Sequence, residues 1–320
     1  MDARVLIQTI LFTTFAFTAT VGNLLVALSI IYMKHRRGTG HFFILSLTLS
    51  DLYCGLLIMP LSTTELHAGA TVTTTPYWCK MTAGLALTAI LGTAWNLVLV
   101  SIDRFVSIRK PLYYQVWMTP KVVITSIVSL WVVVVIWAFM PLMGWSKSID
   151  YQRSSLTLCV WPMILDNNYF TITLVLVFIA VFLVAILQGI IFAIARKQAR
   201  SVRDKSSISK DEKSRMRFAR MQRKITRVIG IIVGFFMLTY LPWMCILAYN
   251  MWSRAVVGQI SILIALCLIY FNSVANPWIY TFSDRRILTE IKSLLRCHRR
   301  PEQQMPSSEI KQRSSFKEAT

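Results

Sequence analysis

The sequence predicts an all-α membrane protein, a bundle of seven transmembrane helices with an amphipathic eighth helix on the cytoplasmic side. Two observations lead to this fold class. Of the 320 residues, 55% are hydrophobic and only 15% are charged, which is too apolar for a soluble domain of this size. Seven runs with at most one charge are each long enough to cross about 30 Å of hydrocarbon at about 1.5 Å per residue.

The seven runs are predicted to be helices. Lipid offers the backbone no hydrogen-bond partner, and a helix satisfies every backbone group within its own segment. A β-barrel would alternate apolar and polar residues, and the run from Trp131 to Trp137 does not. In chain order the predicted helices are 5–33, 42–64, 81–102, 122–145, 167–195, 228–252 and 255–283. The first run is too long, and lacks the basic start, for a removable signal peptide.

Lys and Arg are distributed unevenly along the chain. The formal net charge of +20 would favour nucleic acid in a soluble protein, but 29 of the 34 basic residues follow the first, third, fifth and seventh helices. All four segments lie on one side of the membrane, and the positive-inside rule makes that side the cytoplasm. We therefore expect an external amino terminus, a cytoplasmic carboxyl terminus, contacts with anionic lipid and no nucleic-acid partner.

Two of the six cysteines are predicted on the outer side. Cys79 lies at the top of the third helix and Cys159 in the long loop before the fifth. A disulfide between them would close a loop of about 80 residues and attach that loop to the bundle. The other four lie within helices or in the cytoplasm, where thiols stay reduced.

Polar side chains inside the bundle mark a functional region. Asp51 is the single ionisable residue within the runs, and such a residue is expensive to keep in lipid. Together with neighbouring hydroxyl and amide oxygens it suits a small hard cation such as sodium. The alternative is that these groups hydrogen-bond one another across helices. The candidate sodium ligands are Asp51, Thr93, Asn272, Ser273 and Asn276.

Four runs contain a proline, which removes a helix hydrogen bond and produces a kink. Two of them, Pro242 in FFMLTYLPW and Pro277 in NPWIY, are candidate hinges for a motion that opens the inner face of the bundle. The other two prolines are Pro60 and Pro141.

The motifs resemble, in order and on the expected helices, those of the rhodopsin-like (class A) G-protein-coupled receptors. They are GNLL with Asn23, LSLTLSDL with Asp51, the DRF triplet with Asp103 and Arg104, Trp131, Phe236, Pro242, and NPWIY from Asn276 to Tyr280. The resemblance implies that Asp103 holds Arg104 in a resting state and that activation releases Arg104 toward a heterotrimeric G protein. It also implies a hinge and switch region formed by Phe236, Tyr240, Pro242, Asn276 and Pro277.

The sequence departs from the family at several switch positions. Gln188 stands where the fifth helix usually carries the tyrosine that pairs with Tyr280. Tyr240 replaces the usual tryptophan before Pro242. Gln222 stands where many relatives carry an acid that binds the arginine of the third helix. Because that second clasp on Arg104 is missing, we expect appreciable signalling without ligand.

The ligand is expected to be small and mostly uncharged. The seventh helix has no lysine for retinal, and Ala86 stands where aminergic members carry an aspartate. The predicted pocket wall is apolar and aromatic. It comprises Ala86, Leu87, Ile90, Tyr240, Trp243, Met244, Leu247, Leu266 and Tyr270. The alternative is a monoamine receptor that uses another outer carboxylate, Glu65 or Asp166. No cofactor is expected besides the sodium ion.

The resemblance implies a receptor domain over 1–297, ending in an amphipathic helix, and a disordered cytoplasmic tail over 298–320. Cys297 is a candidate palmitoylation site, and serines in the tail are candidate sites for receptor kinases and arrestin at the plasma membrane. A seven-helix transporter or pump is a remote alternative, because no further acids or Schiff-base lysine form a relay with Asp51. An enzyme is not expected, since the four histidines are scattered over loops and ends.

Overall fold

The structure is a computed structural model, and it describes residues 3–33, 38–72, 75–111, 113–147, 164–203, 230–249 and 258–295. Within these ranges the regular structure is helical, apart from one isolated bridge between Ser146 and Leu165. Seven of the helices are long and apolar enough to cross a membrane. This confirms the predicted fold class. The seven are numbered α1 to α7, and α8 is the helix that follows them.

Helices α1 and α3 extend beyond the uncharged runs. α1 spans Ala3–Tyr32 and α3 spans Pro76–Arg109. α3 begins at a cap, where the hydroxyl of Thr75 accepts a hydrogen bond from the backbone N–H of Trp78 at 3.3 Å. Pro76 follows at the first helical position, where no N–H is needed. The helix therefore starts at its capping residues and not at the first uncharged residue.

Helix α2 is built from three consecutive pieces. Gly40–Tyr53 is α-helical, Cys54–Ile58 forms a π-helical turn and Met59–Val72 is α-helical again. Pro60 follows the wider turn, and its missing N–H interrupts the normal hydrogen-bond ladder there. The π turn rotates the second half of α2 relative to the first, and such turns are frequent at functional sites.

Helix α4 spans Pro120–Phe139 and continues as a 3₁₀ turn over Met140–Met143. Pro141 lies in this terminal turn, so it ends the helix instead of kinking its interior as predicted. The chain then leaves through Gly144, whose φ of 113° is in the left-handed region that favours glycine. The remaining helices are α5 at Asn167–Arg203, α6 at Gly230–Tyr249, α7 at Gln259–Ser283 and α8 at Arg285–Leu295.

Helix α3 lies at the centre of the bundle and packs against α2, α4 and α5, while α1 packs against α2, α7 and α8. Two apolar clusters fill the interior, one shared mainly by α1, α2, α3, α6 and α7 and the other by α3, α4, α5 and α6. Large apolar side chains cover the outer surface, for example Phe17 at 69% and Phe182 at 66% exposure. Hydrocarbon, not water, is the expected neighbour of such a surface.

Helix α8 has the predicted amphipathic character. Ile287 and Ile291 are buried, whereas Arg285 and Lys292 are exposed. Since α8 packs against α1 and α7, its apolar face closes the end of the bundle that carries the basic segments.

Candidate functional site

An ion pair between chain neighbours lies at the inner end of α3. The Nε of Arg104 donates to Oδ2 of Asp103 at 2.8 Å, and its Nη2 donates to the same oxygen. The Asp103 side chain is 1% exposed and that of Arg104 is 12% exposed. Withdrawing Arg104 would leave Asp103 buried without a counter-charge, which is costly in a low dielectric. We call this ion pair the latch, and its role in a resting state stays a prediction.

Tyr114 closes the latch from outside α3. It belongs to a single helical turn, Tyr114–Trp117, between α3 and α4. Its hydroxyl donates to Oδ1 of Asp103 at 2.7 Å and lies 3.1 Å from the hydroxyl of Thr39. Burial raises the pKa of Tyr114 to about 12, so the hydroxyl keeps its proton at neutral pH and acts as a donor. No motif in the sequence indicates a role for this tyrosine.

Gly40, the first residue of α2, also lies against the latch. A Cβ at this position would overlap Nη2 of Arg104 and would lie 3.2 Å from both Arg104 Cζ and Asp103 Oδ2. The arginine therefore occupies space that any side chain at position 40 would need. No pattern in the sequence indicated this close approach.

The other predicted switch residues are not all brought together. The amide of Gln188 on α5 donates to the hydroxyl of Ser101 on α3 at 3.3 Å. The hydroxyl of Tyr280 is buried and has no hydrogen-bond partner within the described ranges. Gln188 thus ties α5 to α3 and does not pair with Tyr280. Gln222 lies outside the described residues, and its role stays a prediction.

Asp51 is fully buried in the middle of α2. Its two carboxylate oxygens accept hydrogen bonds from the hydroxyl of Ser273 and the amide of Asn276, each at 2.8 Å. The amide of Asn23 on α1 donates to the backbone carbonyl of Ser273 at 3.0 Å. These bonds join α1, α2 and α7 around one carboxylate, as the alternative of mutual hydrogen bonding predicted.

The same cluster fits a sodium ion chemically. The amide oxygens Oδ1 of Asn272 and Asn276 are buried and have no hydrogen-bond partner among the described residues. The hydroxyl of Thr93 on α3 lies 2.9 Å from that of Ser50, the chain neighbour of Asp51. A carboxylate with unpaired amide oxygens and hydroxyls is a hard-oxygen donor set. Asp51, Thr93, Asn272, Ser273 and Asn276 would hold the ion.

The aromatic switch region lies directly beside this cluster. The rings of Phe236 and Tyr240 on α6 have centroids 4.2 Å apart, and both residues are buried. The hydroxyl of Tyr240 is a hydrogen-bonding neighbour of Thr93, so this phenol connects α6 to the polar centre. Pro242 follows two residues later. On α7, Pro277 packs so closely on α1 that a Cβ at Gly22 would lie 3.0 Å from its Cγ.

The predicted pocket residues divide between the two apolar clusters. Leu87, Met244 and Leu247 pack with α4 and α5, whereas Ala86, Tyr240, Leu266 and Tyr270 pack with α1 and α2. Ile90 and Trp243 contact both clusters. Ile90 and Trp243 thus join the two clusters, and the ligand pocket itself stays a prediction.

The two outer acids differ in their surroundings. Oδ1 of Asp166 accepts hydrogen bonds from the backbone N–H groups of Asn168 and Tyr169 and from the indole of Trp145, at 2.9, 3.2 and 3.2 Å. The bond from Tyr169 in particular lowers the pKa of Asp166. Asp166 thus caps α5. In Glu65, by contrast, Oε1 is buried and has no partner among the described residues.

Cys79 differs from the other cysteines that the structure describes. Cys79 is 1% exposed and disulfide-bonded. Its predicted partner Cys159 lies outside the described residues, as does Cys297, so the pairing and the lipid site stay predictions. Cys54, Cys245 and Cys267 are free thiols.

The fold belongs to the class of seven-helix receptors. It has seven apolar helices around a buried carboxylate, an acid–arginine pair at the inner end of α3 and a proline in α7. The family model for the 7 transmembrane receptor (rhodopsin family) matches residues 22–280. The chain belongs to this family of rhodopsin-like G-protein-coupled receptors.

Its relatives include receptors named for amines. Trace amine-associated receptor 9 of Rattus norvegicus is 26% identical over 274 residues, which cover 83% of this chain and 80% of the relative. Trace amine-associated receptor 7d of the same species is 28% identical over 284 residues, 85% and 78% of the two chains. The histamine H2 receptor of Cavia porcellus is 26% identical over 279 residues, 86% and 76% of the two chains.

The fold, the latch and the family membership agree on function. The chain is a multi-pass membrane protein, a receptor that binds a small ligand and acts on a G protein, and it is not an enzyme. The alternatives of a transporter and of a membrane enzyme are set aside by this finding.

Proposed function

We propose that this receptor works in the plasma membrane, with its amino terminus outside, and that its resting state is weakly held, so that it signals appreciably without ligand. One observation carries the proposal. Within the described ranges, Arg104 forms a single ion pair, with its own chain neighbour Asp103. A second clasp from α6 would require an acid, and position 222 carries glutamine. Among the described residues, latch opening therefore breaks one ion pair.

The ligand that suits this bundle is compact and largely apolar. The wall from α3 to α7 offers aliphatic and aromatic surface with few polar groups. The names of the relatives refer to trace amines and histamine, and this favours an amine over the neutral ligand expected from the sequence. Asp166 is the weaker candidate counter-charge, because its Oδ1 accepts three hydrogen bonds in capping α5.

The cytoplasmic side is proposed to bind further partners. The heterotrimeric G protein would contact the inner end of α3 when Arg104 is released. Receptor kinases and arrestin would act on the tail over 298–320, and a palmitoyl chain on Cys297 would anchor the end of α8 next to its apolar face. The basic loops would contact anionic inner-leaflet lipid.

The experiment measures cyclic AMP and calcium in cells expressing the receptor without added ligand. Arg104→Ala should lower the basal signal to that of untransfected cells, because the group that meets the G protein is removed. Gln222→Glu should also lower it, because an acid at this position restores a second clasp. Equal basal signals from wild type and Arg104→Ala, at matched surface expression, would contradict the proposal.

A second pair of variants tests the latch from the other side. Tyr114→Phe removes a hydrogen bond to a buried carboxylate, worth about 1.5 kcal/mol, or roughly a tenfold change in an equilibrium. We expect a higher basal signal. Tyr113→Phe is the matched control. Tyr113 is the chain neighbour of Tyr114, but it is exposed and its ring stacks on Trp117 away from the latch. An equal change in both variants would exclude a specific role for Tyr114.

A further inference from the structure

Glu65 lies on the outer half of α2, beyond the π-helical turn. It follows Ser62 by three residues, so the two side chains share a face of the helix. The hydroxyl of Ser62 lies 2.6 Å from that of Tyr270 on α7, and the hydroxyl of Thr82 on α3 is a hydrogen-bonding neighbour of the Glu65 carboxylate. The carboxylate is therefore located where α2, α3 and α7 meet.

This carboxylate is incompletely paired. Its Oε1 is buried without a hydrogen-bond partner among the described residues, and none of the ion pairs in the described ranges includes Glu65. The indole N–H of Trp78, near the start of α3, is also buried without a partner there. Burying a carboxylate oxygen without a hydrogen-bond donor is costly. A bound ligand with N–H groups would supply the donor that Oε1 lacks.

The surroundings of Glu65 suit the apolar body of such a ligand. Tyr270 is 3% exposed, and its ring meets that of Phe12 on α1 edge to face at 5.1 Å. Ala86 lies one turn after Thr82 on α3, so it shares the face that is directed at Glu65. Alanine occupies here the position at which aminergic members carry an aspartate. The face of α3 that carries Thr82, the neighbour of Glu65, thus also carries a small side chain.

We propose that Glu65, with the hydroxyls of Ser62 and Tyr270, binds the ammonium group of a primary monoamine whose body is compact and apolar. A primary ammonium has three N–H donors, which match one carboxylate oxygen and two hydroxyl oxygens. The counter-charge for the amine is thereby located on α2 and not on α3, and the body of the ligand lies against Tyr270. This inference rests on the proposed function, because it requires a signalling receptor with a ligand site in its bundle.

The test is a concentration–response series with 2-phenylethylamine, tyramine and histamine on cells expressing the full chain. We expect at least one of these amines to change the cyclic AMP or calcium signal of wild type. Glu65→Gln should raise the effective concentration by at least about 30-fold, which corresponds to about 2 kcal/mol at 1.4 kcal/mol per tenfold.

Two controls separate charge recognition from general damage. Asp166→Asn removes the other outer charge but leaves an oxygen that can cap α5, so amine potency should stay within about threefold of wild type. The alcohol 2-phenylethanol has the body of 2-phenylethylamine without its charge, and it should not distinguish wild type from Glu65→Gln. Unchanged amine potency in Glu65→Gln would overturn the proposal.

The remaining outcomes distinguish failure of the amine site from failure of the proposed function. If none of the three amines acts while the Arg104-dependent basal signal is present, the amine site is wrong and the proposed function stands. If the basal signal is also absent, both are wrong. If Glu65→Gln does not reach the cell surface, Glu65→Asp is used, which keeps the charge but withdraws it by one methylene. A lower potency in that variant supports the site, and an unchanged potency overturns it.

Discussion

At the scale of the residue, the latch depends on glycine at position 40, which has no side chain. Arg104 reaches Asp103 by passing over the first residue of α2, and the space it uses is free because position 40 is glycine. A methyl group at position 40 would collide with the end of a flexible arginine side chain and not with backbone. The arginine would therefore move while the helices stay in place. We propose that release of that arginine is the step that the latch controls.

Gly40→Ala should consequently raise the ligand-free signal. The added Cβ overlaps Nη2 of Arg104 and separates it from Asp103, which mimics activation. We expect a several-fold increase in basal cyclic AMP or calcium at equal surface expression. Gly189→Ala is the matched control, since a Cβ there has no neighbour within 4 Å among the contacts that the structure gives. An unchanged signal in Gly40→Ala, or the same increase in both variants, would exclude this role for Gly40.

The residues of the latch show which parts of a site a sequence can reveal. Asp103 and Arg104 are visible because two charges end an uncharged run, and family resemblance assigns their roles. Tyr114 and Gly40 are invisible because their contacts join segments separated by 11 residues and by more than 60. Tyrosine in a loop and glycine at a helix start have many ordinary explanations. Only the packing of α2 against α3 gives them a function.

At the scale of the element, the sequence predicted which segments cross the membrane but not where the helices end. Hydrophobic length is a local property, so seven apolar runs gave seven helices. Helix ends depend on caps, and α3 begins at Thr75 and Pro76, several residues before the predicted start. The π turn of α2 could not be predicted, because a proline such as Pro60 is compatible with several local backbone geometries. That turn matters, since it sets the face of α2 on which Ser62 and Glu65 lie.

The junction of α7 and α8 is held by one carboxylate. Oδ1 of Asp284 accepts the backbone N–H of Arg286 at 2.9 Å, and Oδ2 lies 3.2 Å from Nε2 of His41 on α2. Burial acts to raise the pKa of Asp284, but the hydrogen bonds from His41 and Arg286 outweigh it, and the net pKa lies well below the usual range. A depressed pKa means that the contribution of this carboxylate is fully present at neutral pH and is lost only in acid.

Asp284→Ala should lower the free energy of unfolding by about 1 kcal/mol, the usual cost of losing a helix cap. Asp284→Asn should lose less, because asparagine also caps. Thermal unfolding of the purified receptor in detergent at neutral pH measures both. Lys292→Ala, on the exposed face of α8, is the control and should be neutral. Wild-type stability in Asp284→Ala would show that this junction does not support the bundle.

At the scale of the whole molecule, Asp51 connects three helices of the bundle. Its hydrogen bonds hold α7 against α2, and Asn23 adds α1. Pro277 directly follows Asn276, so a bend at this proline changes which oxygens surround Asp51. A cation bound there would therefore have different affinities for the two arrangements of α7. By linkage, such a cation shifts the equilibrium between the two arrangements of α7, and the shift is limited by the ratio of its two affinities.

We propose that sodium favours the described arrangement, in which Arg104 is held and the α7 oxygens lie beside Asp51. Exchanging sodium chloride for choline chloride at equal ionic strength should then raise ligand-free guanine-nucleotide exchange on a G protein by wild-type membranes. Asp51→Asn removes the charge that a cation requires, so its exchange rate should be the same in both salts. Asp166→Asn, whose charge lies outside the bundle, should respond like wild type. An equal sodium response in Asp51→Asn and wild type would exclude this carboxylate as the site, because the ion would then act elsewhere on the membrane or on the G protein.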